Sequence, residues 1–260
     1  MTYENIVTEV KEQILYITIN RESKLNALNK QTLSELSHII ASAQMNTEVR
    51  AILLTGAGPK AFVAGADIAE FSDFNAAEGE ALAREGQEAV FNAIERSSKP
   101  VVAAINGFAL GGGLELAMAC HIRVASETAK LGLPEVSLGL IPGYGGTQRL
   151  SQLVGKGRAI EMIVTAEMIS AAHAEKIGLL NHVVAPEFLI VKAEEIIEKI
   201  KLRAPLAIAG AIRSVNASVD FGLNGFDIEI KEFGKCFATK DFKEGTAAFL
   251  TKRKPLFTGR

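Results

Sequence analysis

The sequence predicts an α/β protein in which units of strand, strand and helix give way to a helical C-terminal region. Short β-rich runs at residues 14–20, 51–55, 101–105 and 122–125 alternate with stretches of helical period. Beyond Leu150 the pattern becomes helix after helix. The strand-strand-helix order recurs without any strict repeat of residues, so the repetition is architectural.

Residues 6–10 and 14–20, separated by Lys11, Glu12 and Gln13, read as an antiparallel hairpin. Leu33, Leu36, Ile39, Ile40 and Ala43 recur at helical spacing after Asn29, a good N-cap, and lead to the strand at 51–55. A long helix is expected over 76–95 with Leu82, Val90, Ala93 and Ile94 inward, closed by Lys99 and Pro100. The strand 101–105 then reaches an Asn106-Gly107 turn, a helix over 112–119 and a strand over 122–125. Further on, Ser170 caps a short helix, 181–184 is a last strand, and 187–201 carries Leu189, Ala193, Ile196, Ile197 and Ile200 on one face. A helix follows over 205–215, and Asp241 and Glu244 have capping-box spacing for a final one.

The 260 residues are 48% hydrophobic with a formal charge of −2, which excludes a broad basic footprint, so neither a nucleic-acid nor a membrane-surface partner is expected. Cys120 and Cys236 are too few and too far apart for a disulfide framework or zinc spacing, and each reads as a buried thiol. The start, MTYENIVTEV, lacks a basic segment followed by an apolar one, and no run of about 18 apolar residues occurs. A cytoplasmic protein is expected.

The chemistry concentrates between Asn106 and Leu150. Three glycines, Gly111 to Gly113, precede a helix whose first N–H groups have no partner within it, making Gly112 a candidate donor to an anionic or carbonyl oxygen. Glu115 follows within about one turn of that donor. Glu135, in Gly-Leu-Pro-Glu-Val, is a carboxyl in apolar company, where burial raises pKa. Each glutamate also has a plainer use, Glu115 favouring the helix dipole and Glu135 as a solvated turn residue. A loose G-x-G-x-x-A pattern at 56–61 lacks the following helix that a dinucleotide fingerprint needs, because Pro59 and Gly65 interrupt it.

GGGLELAMAC, GLPEV and GLIPGYGGTQRL together resemble the crotonase superfamily, and most closely its enoyl-CoA hydratases. The resemblance runs the whole chain: RESKLNAL at 21–28 is similar to the N-terminal signature, AFVAGADI at 61–68 to the first oxyanion loop, and residues 237–254 to the C-terminal helix. It implies a crotonase-like spiral of ββα units over 1–190 carrying the active site, and a helical trimerisation region over 191–260. It also implies reversible hydration of a trans-2-enoyl-CoA. The backbone N–H groups of Ala66 and Gly112 would form the oxyanion hole. Glu115 would act as base toward water and Glu135 as acid toward C2. Ala64, Asp67, Ile68 and Gly143 would contact substrate, while Lys24, Phe249 and Lys252 would line the coenzyme A route, some from a neighbouring subunit. No metal or separate cofactor is implied, coenzyme A entering as part of the substrate, and a homotrimer or homohexamer is expected.

Phe71 and Phe74 are candidate pocket walls or ordinary core. Leu133 and Tyr144 stand where relatives often have Gln and Ala, and bear on chain length. His121 replaces a common aspartate and reads as a structural histidine, its side chain diverging from that of Cys120. Three other readings are weighed. An isomerase of the superfamily typically keeps one of the two acids, a nicotinamide oxidoreductase needs a nucleotide turn, and a non-catalytic RNA-binding relative needs clustered basic surface.

Overall fold

The computed structural model describes residues 3–220 and 222–260. Among the described residues ten strands form two sheets. The larger has the order β1 (Ile6–Lys11), β2 (Ile14–Ile19), β3 (Ala51–Gly56), β5 (Val101–Ile105), β7 (Ile122–Ser126) and β10 (His182–Val184). The smaller has β4 (Ala61–Val63), β6 (Phe108–Leu110), β8 (Lys130–Gly132) and β9 (Ile169–Ser170). The β1–β2 and β8–β9 pairs are antiparallel and the others parallel.

Helix α1 (Lys30–Met45) starts at Asn29, whose side chain accepts from Thr32 N–H as the N-cap spacing predicts. The helix expected over 76–95 is continuous but not uniform: α2 (Ala76–Gly86) passes through a π turn at Gln87–Phe91 into α3 (Asn92–Glu95). Helix α4 (Gly112–Ala119) follows the glycine cluster, and α5 (Gly146–Val154), α6 (Lys156–Thr165) and α7 (Ala171–Lys176) lead to the last strands. The chain closes with α8 (Leu189–Lys201), α9 (Pro205–Ala217), α10 (Gly225–Cys236) and α11 (Lys240–Leu250).

The repeated unit differs from the one the strand signals suggest. After β3, β5 and β7 of the large sheet the chain places a three-residue strand in the small sheet, β4, β6 and β8 respectively, and then turns. Consecutive strands of a unit therefore belong to different sheets, and the chain advances as a spiral.

The large sheet is covered on both faces, which explains its near-continuous apolar runs. Ile52 and Leu54 face the main core with Ile17, Phe62 and Phe91, while Ala51 and Leu53 join Val102 and Val124 under Leu189, Ala193 and Ile197 of α8. Helix α8, which straddles the 190/191 division, thus packs on the sheet. Among the described residues no helix is long and apolar enough to cross a membrane.

Two local expectations need correction. The final helix is capped by Thr239, which accepts from Phe242 N–H, not by an Asp241 box. Asp241 is buried and accepts from Thr258 and Gly259 N–H, and Glu244 pairs with Arg253, so both acids clasp the C-terminal tail. Cys120 is buried as expected, whereas Cys236 is only half-buried.

Candidate active site

Two glycine-led turns meet at the end of the spiral. Gly65 (φ 115°) and Gly111 (φ 51°) hold left-handed backbone that a side chain would strain, and the Gly65 Cα lies 3.9 Å from where a Cβ on Gly111 would stand. Ala66 follows one and Gly112 the other. Leu28 forms a parallel bridge with Ala66 by donating to Gly65 O and accepting from Asp67 N–H, so the Ala66 N–H itself faces away from that bridge. Gly112 opens α4, where its N–H has no carbonyl a turn earlier in the helix. Ala66 and Gly112, on adjacent turns, both line one cavity.

The loop carrying Ala66 is held from below. Arg21 pairs with Asp67 at 3.0 Å, the buried Asn26 donates to Ala57 O and Ala61 O, and Asn106 donates to Gly56 O and Ala61 O. Asp67 therefore serves the loop and does not line the cavity.

The cavity, about 260 Å³, is walled by Ala64, Ala66, Ile68 and Phe71 on one side and by Gly112, Glu115, Glu135, Gly143 and Tyr144 on the other. Glu115 is 1% exposed, and its Oε1 accepts from Tyr144 N–H at 2.8 Å and Gly146 N–H at 2.7 Å. Burial raises its pKa to about 7. The Gly146 N–H opposes that rise, the Glu135 charge adds to it, and the Tyr144 N–H and Arg149 oppose it. Gly146 is required here, since a Cβ would lie 2.8 Å from Glu115 Oε1.

Glu135 starts a short 3-10 turn after Pro134, and burial raises its pKa too. Its Oε1 lies against Gly111, 2.9 Å from the place of a Cβ there. Its Oε2 is the one buried side-chain polar atom without a hydrogen-bond partner among the described residues. Such an atom costs on the order of 1–3 kcal/mol unless something else donates to it, which suits a water or substrate proton.

The support of this site is what sequence patterns did not reveal. Arg149 is 6% exposed; it donates to Tyr144 O at 2.9 Å and grips Glu95 through both carboxyl oxygens and Asn92 at 2.8 Å. Gln87, at the π turn, donates to Gly143 O at 2.7 Å. These bonds hold the strip whose Tyr144 and Gly146 amides orient Glu115. The one trace in the sequence is an arginine directly before Leu150, in the stretch GGTQRL.

Other expected residues lie elsewhere. Lys24, Phe249 and Lys252 are exposed and line no part of this cavity. Phe74 is 44% exposed and borders a separate groove. Leu133 is fully buried. His121 is structural: Nδ1 accepts from Val101 N–H at 2.9 Å and Nε2 meets Glu95 O at 3.1 Å.

A family model described as enoyl-CoA hydratase/isomerase matches residues 9–260. The chain belongs to the enoyl-CoA hydratase/isomerase family. Within it, the chain is 46% identical over 255 residues to the short-chain-enoyl-CoA hydratase of Clostridium acetobutylicum, covering 98% of this chain and 97% of that one. It is 45% identical to the crotonyl-CoA hydratase of Syntrophomonas wolfei, with all of both chains covered. Among solved structures, an enoyl-CoA hydratase from Bacillus anthracis superimposes with a TM-score of 0.91 at 40% identity, covering 99% of this chain and 100% of that one. The spiral architecture is therefore that of this family, as the resemblance implied.

Proposed function

We propose that the protein hydrates trans-2-enoyl-CoA to 3-hydroxyacyl-CoA, and that the reaction runs reversibly. The observation that carries this reading is the pair of carboxyls on one cavity, Glu115 buried and Glu135 half-buried with its Oε2 enclosed, beside Ala66 and Gly112. Adding water requires a base at the water, an acid at C2 and charge stabilisation at the thioester oxygen. Ala66 and Gly112 N–H would receive that oxygen as it becomes enolate-like. Glu115 would take a proton from water as the oxygen bonds to C3, and Glu135 would deliver a proton to C2. In dehydration the roles exchange, and the two groups titrate as a coupled pair. Ala64, Ile68 and Gly143 would contact the bound thioester, and coenzyme A enters as part of the substrate with no further cofactor invoked.

Incubation with crotonyl-CoA should yield a product heavier by one water, identified by mass spectrometry as 3-hydroxybutyryl-CoA. Unchanged crotonyl-CoA at equilibrium-limited enzyme loading would overturn the reading.

The same proposal includes assembly as a homotrimer or homohexamer. Phe226, Ile230 and Phe233 recur on one stripe of α10 and are 81%, 68% and 67% exposed, a face that needs cover. Phe249 and Leu250 are 81% and 79% exposed at the end of α11. A second copy of this chain is the partner assigned to this surface, and it would bring Phe249 and Lys252 to a neighbour's coenzyme A route, with Lys24 contributing in its own subunit. Sedimentation at micromolar concentration should give a trimer or hexamer; a stable monomer would remove both the assembly and the shared route.

A further inference from the structure

Gln87 and Arg149 grip successive carbonyls of the strip that faces Glu115, and the two grips are not equivalent. Arg149 donates to Tyr144 O, which belongs to the peptide whose N–H is that of Gly145. Gln87 Nε2 donates at 2.7 Å to Gly143 O, which belongs to the peptide whose N–H is that of Tyr144. That N–H donates at 2.8 Å to Glu115 Oε1. One planar peptide thus has the Gln87 amide at its carbonyl end and the proposed base at its N–H end. Hydrogen bonds chained in this way polarise one another, and inside a protein they are stronger than in water.

Glu115 uses its two oxygens unevenly. Tyr144 and Gly146 N–H both donate to Oε1. Oε2 has no partner among the described residues, yet it is not enclosed as Glu135 Oε2 is, so it opens on the cavity that Glu115 lines. Oε1 is the anchored oxygen and Oε2 the one free to accept a proton. Which oxygen is anchored depends on where the Tyr144 amide stands, and Gln87 holds the other end of that peptide.

Gln87 reaches Gly143 because its helix is irregular. Gln87 and Asn92 are five residues apart, which on an α-helix turns their side chains about 140° away from each other. Both nevertheless meet the 143–149 strip, Gln87 at Gly143 O and Asn92 at Arg149. The π turn between them, closed by Asn92 N–H donating to Gln87 O, takes up the difference. Phe91 of the same turn stacks on the Tyr144 ring, centroids 4.7 Å apart.

We propose that Gln87 is a positioning residue for the proton transfer: through the Gly143–Tyr144 peptide it fixes Oε1 of Glu115, so that Oε2 is the oxygen that takes the proton from water. This rests on the hydratase reading. Gln87 does not line the reaction cavity, so it acts through that peptide alone.

The charged or titratable groups that face Glu115 are Glu135, Tyr144 and Arg149. Gln87 is neutral, so replacing it changes the acidity of Glu115 only through the hydrogen bond. Burial raises the Glu115 pKa and the Tyr144 N–H is one of the bonds opposing that rise, so a loosened peptide moves the pKa further up. Gln87→Met removes the donor at similar length. It should lower kcat for crotonyl-CoA by about 3- to 10-fold, the worth of one hydrogen bond, with KM within about 2-fold of wild type. The acid limb of its pH–rate profile should move to higher pH by about half a unit to one unit. Gln87→Asn, one methylene too short to reach Gly143 O, should move the limb the same way and serves if the methionine variant fails to fold. A purely structural role would lower the melting temperature and scale the rate at every pH, leaving the limb in place. Carbon-13 NMR titration of protein labelled at its glutamate carboxyls reads Glu115 without turnover, its signal assigned by its loss in Glu115→Gln. The expected result is the same upward displacement in a Gln87 variant. If that displacement appears while wild-type protein hydrates no crotonyl-CoA, the hydratase reading falls and the positioning role stands. A folded Gln87 variant whose Glu115 titrates as in wild type overturns the assignment, whatever its rate.

Discussion

Glu115→Gln and Glu135→Gln should each lower hydration turnover by about 10²- to 10⁴-fold, the contribution expected of one positioned proton-transfer group, while acyl-CoA binding persists. The amide is close in shape to the carboxyl, and its oxygen still accepts from Tyr144 and Gly146 N–H. The wild-type rate should fall on the acid side of about pH 7, where burial has moved Glu115, because the base must be ionised. Glu135 must begin protonated, and burial raising its pKa extends that form upward in pH. Folding responds with the opposite sign to activity. The raised folded-state pKa of Glu115 means that its contribution to stability is complete below the ordinary carboxyl value of 4.5 and is lost as pH rises through about 7. At pH 8 the ionised buried carboxylate therefore costs on the order of 3 kcal/mol, and Glu115→Gln should melt several degrees higher than wild type there but not at pH 4.5. A variant that is inactive and also less stable at pH 8 would contradict the placement of a buried charged base.

Arg149→Met should destabilise by about 3–5 kcal/mol, the usual result of removing one partner from a buried charged network. Its side chain is 7% exposed against 32% for that of Glu95, and it also serves Asn92 and Tyr144 O. Loss of these bonds frees the strip that orients Glu115, so activity should fall as well as a melting temperature lower by roughly 10 °C. Glu95→Gln added to Arg149→Met should recover part of the stability by removing the orphaned charge. A single variant melting within a degree of wild type would show that the network does not hold the site.

Much of this arrangement was legible before the structure because its causes are local. Asn29 caps α1 through its own side chain, and α4 begins where three glycines end. The long strands announced themselves because both faces of the large sheet are covered, leaving runs such as Ala51–Leu54 almost wholly apolar. The small sheet did not, because β4, β6 and β8 have three residues each, too few for alternation to show, and sit among glycines that signal turns. The π turn was hidden for a related reason: Val90, Phe91 and Ile94 are all buried on a pattern that an ordinary helix also fits. Glu115 and Glu135 stood out as carboxyls in apolar surroundings, but Arg149 did not, since its partners Glu95 and Asn92 lie more than fifty residues away. Asp241 misled because an acid near a helix start suits a cap equally well as a clasp on the tail.

Paired absorbance assays on wild-type protein and the two glutamine variants separate addition of water by two carboxyls, one at the water and one at C2, from proton transfer by a single one. One assay follows loss of the conjugated enoyl-thioester absorbance of crotonyl-CoA on adding water; the other follows its appearance from a 3-enoyl-CoA, which needs only a proton moved between C2 and C4. Wild-type protein should consume the conjugated thioester rapidly, and each single substitution should abolish most of that rate. Wild-type protein that only generates conjugated thioester, with Glu115→Gln unimpaired, would rule out a hydratase with two acting carboxyls and leave an isomerase.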